Sequence, residues 1–223
     1  MGAPWITFDL DGTLLKNPYW RLHLAPWLKA QAALHRENWN HWWNLMAQEG
    51  DRRWHEGDWI GAYDWSDIIA KLFGLSLSVP SKVAWPTIAD LTLPGVLWML
   101  ESLRLLPIKL GVVTNGLWAN QGPYLQSLGW DELFETIVTT SPEAGCKPDP
   151  KVFNAFDGPI LCHVGDRIYH DVLAAHRAHT MAILYQPRIV AEDRSDPLSP
   201  ATVIPDRVIF QHWDLPAVIH SLL

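Results

Sequence analysis

The sequence predicts an α/β fold, a doubly wound and mostly parallel sheet interrupted by one all-helical insertion. Three observations carry this expectation. Strand-like apolar runs alternate with helix-like segments along most of the chain; a short strand ending in two carboxylates opens it; and the stretch after that strand shows apolar residues at helical spacing only. With 223 residues, 48% hydrophobic and 18% charged, the chain is long enough to bury a full core, as one domain or one domain plus an insertion.

The first strand is Trp5-Ile6-Thr7-Phe8-Asp9, a run of β-branched and aromatic residues that the Asp11-Gly12 pair brings to a sharp end. Further strands are expected at 108–114, 135–140, 160–165, 180–185 and 207–210. Helices are expected at 95–106 after Pro94, at 118–128, 150–156 and 169–178, and last at 214–222. Gly122-Pro123 should interrupt or delay the second of these, because proline lacks the N–H and its ring meets the carbonyl of the preceding turn. In such sheets ligands bind outside the carboxyl ends of the strands, where Asp9 and Asp11 sit.

Residues 17–90 break the alternation, dividing the chain into a core of 1–16 and 91–223 and a helical insertion. Trp39, Trp42, Trp43 and Met46 recur at helical spacing, as do Trp59, Tyr63, Ala70 and Phe73, with Asp64, Asp67 and Lys71 on other faces. Nine of the 14 tryptophans fall here, most of them read as packing residues and the rest as pocket lining. His23, His35, His41 and His55 are read as surface or packing residues. The polar, proline-rich stretch 186–206 reads as a long surface loop.

Composition excludes some partners. The formal net charge is −7 and the pI about 5.7, with no Lys/Arg-rich block, so a nucleic-acid polymer is not expected as a ligand. No apolar run approaches the roughly 20 residues needed to span a bilayer, and no basic segment with a following apolar stretch opens the chain. No membrane association and a cytoplasmic location are therefore expected. Cys146 and Cys162 form no CxxC or Cys/His spacing, which fits a reducing compartment and no zinc site.

Three more strand ends carry chemistry. Leu110 to Val113 ends in Thr114-Asn115-Gly116, a hydroxyl and a turn whose N–H groups can face an anion. "SPEAGCKPDP" places Lys147 before a helix start, with Asp149 suited to the N-cap and Pro150 to the first helical position. "ILCHVGDRIYHD" ends a strand at Gly165-Asp166 and offers Asp171 near the next helix start. Each has a plain structural reading: an ordinary turn, a solvent-facing lysine, a carboxylate facing a helix dipole. A calcium-loop reading of "DLDGT" fails, because the glycine and glutamate positions of that loop are Leu14 and Trp20.

Together and in order, "FDLDGTL", "VVTNG", "GCKPDP" and "VGDRIYHD" resemble the four signature motifs of the haloacid dehalogenase (HAD) superfamily of phosphohydrolases, in the subgroup with a helical C1-type cap after the first motif. The resemblance covers the whole chain and implies a HAD-like Rossmannoid core. It implies that Asp9 attacks phosphorus to form an aspartyl-phosphate. Asp11 then protonates the leaving oxygen and deprotonates the attacking water. Mg²⁺ is implied as cofactor, held by the Asp9 side chain, the Asp11 backbone carbonyl and Asp166, with Asp171 acting through water or by holding Lys147. Lys147, Thr114 and N–H groups near Asn115 are implied to bind substrate and stabilise the transferring phosphoryl group. Gly12 lets the chain turn close to the site.

The implied activity is Mg²⁺-dependent hydrolysis of a small phosphomonoester, with a small phosphorylated metabolite as partner. Dehalogenases of this superfamily lack an aspartate at the position of Asp11, since a halide leaves without a proton. A phosphomutase of the β-phosphoglucomutase type shares every core residue, and a non-catalytic HAD-fold binding protein is the alternative from another class. A tryptophan-rich cap could stack on a nucleobase or a sugar face, which points to a nucleotide or sugar phosphate.

Overall fold

The computed structural model describes residues 2–79, 89–187 and 202–223. Six strands, β1 (Trp5–Phe8), β2 (Lys109–Val113), β3 (Thr136–Val138), β4 (Ile160–Gly165), β5 (Met181–Tyr185) and β6 (Arg207–Ile209), form one parallel sheet. Their order is β3-β2-β1-β4-β5-β6. The chain builds outward from central β1 to β2 and β3, then crosses to β4 and builds the other half. Each strand falls within its expected span, because all six are short runs set between turn signals, buried throughout β1 and largely in β2, β4 and β5 and half-buried or exposed at the edge strands β3 and β6.

Alternation along the strands sorts the two faces. Ile6, Phe8, Leu110, Val112, Cys162, Val164, Ile183 and Tyr185 point into one core cluster. Trp5, Val113, Ala182 and Leu184 point to the other side. On that other face Thr7 and His163 stand opposite each other in register and pair with one another instead.

Residues 17–79 hold only helices: a π-helical turn at Trp20–Leu24, then α1 (Ala25–His35), α2 (Trp39–His55), α3 (Trp59–Tyr63) and α4 (Trp65–Phe73). Asn38, Asp58 and Asp64 cap α2, α3 and α4 by accepting backbone N–H bonds from Asn40, Gly61 and Asp67. Leu24, Leu28, Met46, Ile68 and Ile69 form the segment's own core. Trp42 stacks on Phe73 at 4.3 Å, and Trp20, Trp27, Trp39 and Trp43 pack against the same core. Lys16 N–H donates to Leu91 O at 2.8 Å and Leu93 N–H to Leu14 O at 2.9 Å, so the chain leaves and returns side by side next to Asp11.

Further helices among the described residues are α5 (Val96–Leu103), α6 (Trp118–Leu128), α7 (Trp130–Leu133), α8 (Leu173–Arg177) and α9 (Leu215–His220). Three expected helices are altered locally. That at 150–156 is a 3-10 turn over Pro150–Phe153, capped by Asp149. That at 169–178 opens as a π-turn over Ile168–Val172, and α9 is preceded by a 3-10 turn at His212–Asp214. The interruption expected at Gly122-Pro123 does not occur: α6 runs unbroken from Trp118 to Leu128. An interior proline costs about 3 kcal/mol. Full burial of Leu125 returns about 1.5–3 kcal/mol and the Tyr124 ring is buried beside it, and Gly122, lacking a Cβ, lets the Trp118 ring lie against the helix. Most of the loop expected at 186–206 lies outside the described residues, as does Trp85.

Among the described residues no helix is long and apolar enough to cross a membrane. The helical segment is pinned by one carboxylate. Glu49 accepts from Arg52 at 2.8 Å, Arg53 at 2.9 Å and Lys71 at 2.7 Å, and Arg53 also reaches Asp67 at 2.7 Å and Gly61 O at 3.2 Å. Glu49 and Arg53 are both buried, so they tie α2 to α3 and α4. Glu49→Ala leaves the buried Arg53 guanidinium with Asp67 and Gly61 O only and is expected to destabilise the protein by about 2 kcal/mol. Urea unfolding followed by tryptophan fluorescence measures this, and a loss under about 1 kcal/mol would class the cluster with exposed ion pairs.

Candidate active site

The carboxyl ends of β1, β2 and β4 and the loop after β3 converge on a cavity of about 420 Å³, within the range of small-molecule sites. Asp9, Asp11, Thr114, Asn115, Lys147, Asp166 and Asp171 all line it. The structure thus brings together every residue singled out from the four motifs, at the point where strand order reverses around β1.

Lys147 is the centre of the site, only 1% exposed. Its ammonium donates to Asp9 Oδ1 at 2.6 Å, Asp171 Oδ1 at 2.6 Å and Val113 O at 2.7 Å. Burial alone would lower its pKa, but the Asp171 and Asp9 carboxylates outweigh that and raise it, so it stays charged. Asn115 fixes the lysine's backbone from both sides: its Oδ1 accepts from Lys147 N–H at 2.7 Å and its Nδ2 donates to Lys147 O at 2.9 Å. The Asn115 side chain is therefore committed to the Lys147 loop and to Tyr63 Oη at 3.2 Å, and its carbonyl accepts from the Thr140 hydroxyl at 2.9 Å. Thr114 is held at the end of β2 by its N–H bond to Val138 O at 2.9 Å.

Asp171 has both oxygens engaged. Oδ1 takes Lys147 and lies 3.3 Å from His163 Nε2, and Oδ2 accepts from Arg167 N–H at 2.9 Å. Burial pushes this carboxyl up, yet Lys147 and His163 hold it below the usual carboxylate range. Burial lowers the His163 pKa, and the neutral ring that results is assigned by its neighbours: Nε2–H donates to Asp171 and Nδ1 accepts from the Thr7 hydroxyl at 2.9 Å. A relay Thr7–His163–Asp171–Lys147–Asp9 runs under the cavity. His163 is not marked by any of the four motifs' expected roles; its one signal in the sequence is an imidazole between Cys162 and Val164 in a buried strand, which must find partners.

Asp11 is set differently. Its Oδ2 accepts from Gln121 Nε2 at 2.6 Å, while Oδ1 is buried with no partner. Burial raises its pKa from 3.8 to about 7; Gln121 opposes the shift and Asp9 adds to it. Two carboxyl groups two residues apart thus have distinct environments, one bonded to an ammonium and one to a neutral amide.

Carboxylate oxygens of Asp9, Asp166 and Asp171 lie within 4.8 Å of one another. Four carboxyl groups, counting Asp11, line the cavity with two cations, the Lys147 ammonium and the Arg167 guanidinium 3.9 Å from Asp166 Oδ2, and an all-oxygen donor set suits a hard divalent cation. The residues fit such an ion. Gly12, at φ +91°, permits the approach: a Cβ there would sit 2.5 Å from Asp166 Oδ2.

Residues 4–179 match the family model of haloacid dehalogenase-like hydrolases, and the chain belongs to that family. Over 88 residues it is 35% identical to the glyceraldehyde 3-phosphate phosphatase of Pyrococcus abyssi, which is 37% of this chain and 37% of that relative. The matched stretch thus spans little more than a third of the relative's length. The HAD phosphatase from Thermococcus onnurineus superposes with a TM-score of 0.68 at 23% identity, covering 98% of both chains. L-2-haloacid dehalogenase from Xanthobacter autotrophicus superposes with a TM-score of 0.63 at 16% identity, covering 99% of this chain and 100% of that one. Phosphatase and dehalogenase share this fold, so the fold alone does not choose between their chemistries.

The raised pKa of Asp11 has a consequence for stability. The folded state holds this proton more tightly than the unfolded chain, so stability falls as pH rises from about 4 through 7. In EDTA, Asp11→Asn is expected to melt higher than the wild type at pH 8 and near it at pH 4. An equal difference at both pH values would show that Asp11 is not protonated in the fold.

Proposed function

We propose that this protein is a Mg²⁺-dependent phosphatase of small phosphomonoesters that works through an aspartyl-phosphate on Asp9. The observation that carries the reading is the pair Asp9 and Asp11, which line the same cavity: one carboxylate is held by Lys147, the other is raised by burial to about 7. A phosphate ester needs both, since an alkoxide leaves poorly without a proton. A halide needs only the first, so Asp11 favours phosphoryl transfer over dehalogenation on the shared fold.

In this reading Asp9 attacks phosphorus, the P–O ester bond breaks, and the leaving oxygen takes the proton from Asp11. Asp11 then removes a proton from a water that attacks the phosphoryl group, releasing phosphate and restoring Asp9. Lys147 and the Thr114 hydroxyl, with N–H groups at Asn115, stabilise the equatorial oxygens. Asp9, Asp166 and the Asp11 carbonyl would hold Mg²⁺, which when bound offsets the repulsion between carboxylate and phosphate. Asp171, with both oxygens engaged, acts by holding Lys147.

The insertion at 17–90, helical over its described residues 17–79, serves as a cap over the strand ends. Tyr63, Trp65, Tyr19 and Asn17 bring it to the cavity wall. Trp20, Trp27, Trp39, Trp42 and Trp43 are absorbed in the segment's packing, while Tyr19, Tyr63 and Trp65 give the cavity an aromatic wall that can stack on a sugar face. With the activity named for the Pyrococcus abyssi relative, this supports a small sugar phosphate as substrate. The setting is cytoplasmic.

Phosphate release from triose, sugar and nucleotide phosphates, with Mg²⁺ and with EDTA, tests the reading. The wild type should release phosphate only with the metal, and Asp9→Asn should lose at least ~10³-fold in turnover. Release by Asp9→Asn at the wild-type rate would remove Asp9 as nucleophile.

A further inference from the structure

We propose that the Tyr63 hydroxyl, carried by the helical segment, donates to a non-bridging oxygen of the transferring phosphoryl group and so completes from that segment a binding set begun in the core. The proposal rests on the phosphatase reading above.

Tyr63 is the last residue of α3 and lines the cavity with Thr114, Asn115 and Lys147, with part of its surface accessible. Trp54 packs edge-on against its ring at 6.0 Å and against His170 at 5.5 Å, which holds the ring against the π-turn after β4. The Tyr63 oxygen accepts from Asn115 Nδ2 at 3.2 Å. An amide hydrogen already points at that oxygen, so the phenol's own hydrogen turns away from Asn115, and no residue among those described accepts it. Burial raises the phenol's pKa against the opposing bond from Asn115, so the hydroxyl keeps its proton and remains a donor. A phenol hydroxyl set into a protein wall normally has an acceptor. A phosphoryl oxygen, which only accepts, supplies one.

The position of the hydroxyl selects that oxygen over one on the leaving group. Asn115 is bonded through both ends of its amide to the Lys147 backbone, which puts the Tyr63 oxygen beside the loop that carries the ammonium. Cys146, Lys147 and Asp171 are the titratable neighbours that act on it. The three N–H donors of Lys147 are taken by Asp9, Asp171 and Val113 O, so the lysine brings charge to a phosphoryl group. Directed donors come from two hydroxyls. One is Thr114, whose Oγ1 accepts from Gly116 N–H at 3.3 Å and keeps its own hydrogen to give; the other is Tyr63. A donor on the helical segment makes phosphate itself a ligand that holds the segment to the core, whatever the leaving group.

The test compares wild type and Tyr63→Phe with Mg²⁺ on the best ester of the panel above and on p-nitrophenyl phosphate, with inorganic phosphate as inhibitor. The substitution keeps the ring and its contact with Trp54, and Asn115 Nδ2 keeps its bond to Lys147 O; melting curves verify folding. Tyr63→Phe is expected to lower kcat/KM at least ~10-fold on both esters, by factors within about threefold of each other, because the phosphoryl group is common to both. It should also weaken inhibition by inorganic phosphate at least ~5-fold, which a merely structural role would not do. A second measurement needs no variant: saturating phosphate should slow amide hydrogen exchange over α3 in the wild type. An unchanged phosphate inhibition constant in the folded variant, a loss confined to one ester, or no slowing over α3 at saturating phosphate would overturn the proposal while leaving the phosphatase reading in place. No release from any ester by the wild type would overturn that reading and this proposal together.

Discussion

The Lys147 ammonium is the interaction on which the site depends. A lysine ammonium has three N–H donors, and here each has a partner within 2.7 Å: Asp9 after β1, Asp171 in the π-turn after β4, and the Val113 carbonyl at the end of β2. A buried charge without such partners would shed its proton or pull in water. Three separate chain segments are therefore tied by one atom, and the loop carrying Lys147 is fixed in turn by the two Asn115 bonds to its backbone. The π-turn at Ile168–Val172 belongs to the same arrangement, since it carries the carboxylate that meets the ammonium.

Close packing of charged groups demands small residues between them. Gly12 leaves room for Asp166, and Gly165 leaves room for Asp171, where any Cβ would collide with the carboxylate. The Thr7–His163 pair then supports Asp171 from below, so the polar stack continues through the sheet face that is otherwise apolar. Such a chain is stable only when every member is satisfied. The neutral imidazole meets that condition, donating on one side and accepting on the other.

Much of this was legible in the sequence. The strands were readable because each is a short apolar run bounded by turn residues, and the four motifs placed Asp9, Asp11, Thr114, Asn115, Lys147, Asp166 and Asp171 at strand ends, where the sheet brings them to one cavity. Less legible were residues whose roles depend on partners distant in sequence. His163 and Thr7 are 156 residues apart and Gln121 lies 110 residues from Asp11, so no local pattern links them. Pro123 misled for a related reason: proline is a local signal, whereas the burial of Tyr124 and Leu125 that overrides it is tertiary. Lys147 in isolation reads as a surface lysine, and only the convergence of two carboxylates makes its burial favourable.

The helical segment touches the core through contacts that also reach the cavity. On one side Tyr63 Oη accepts from Asn115, and Trp54 packs edge-on against His170 at 5.5 Å. On the other, Tyr124 of α6 enters the segment's own core, three residues along the helix from Gln121. The same asparagine that clamps the Lys147 backbone thus receives the segment, and the helix that carries Asp11's partner anchors it. Displacing the segment must disturb both attachments. A movement of this proposed cap would therefore change the surroundings of Lys147 and of Asp11 together, coupling access to the cavity with the arrangement of the two groups that handle its charge.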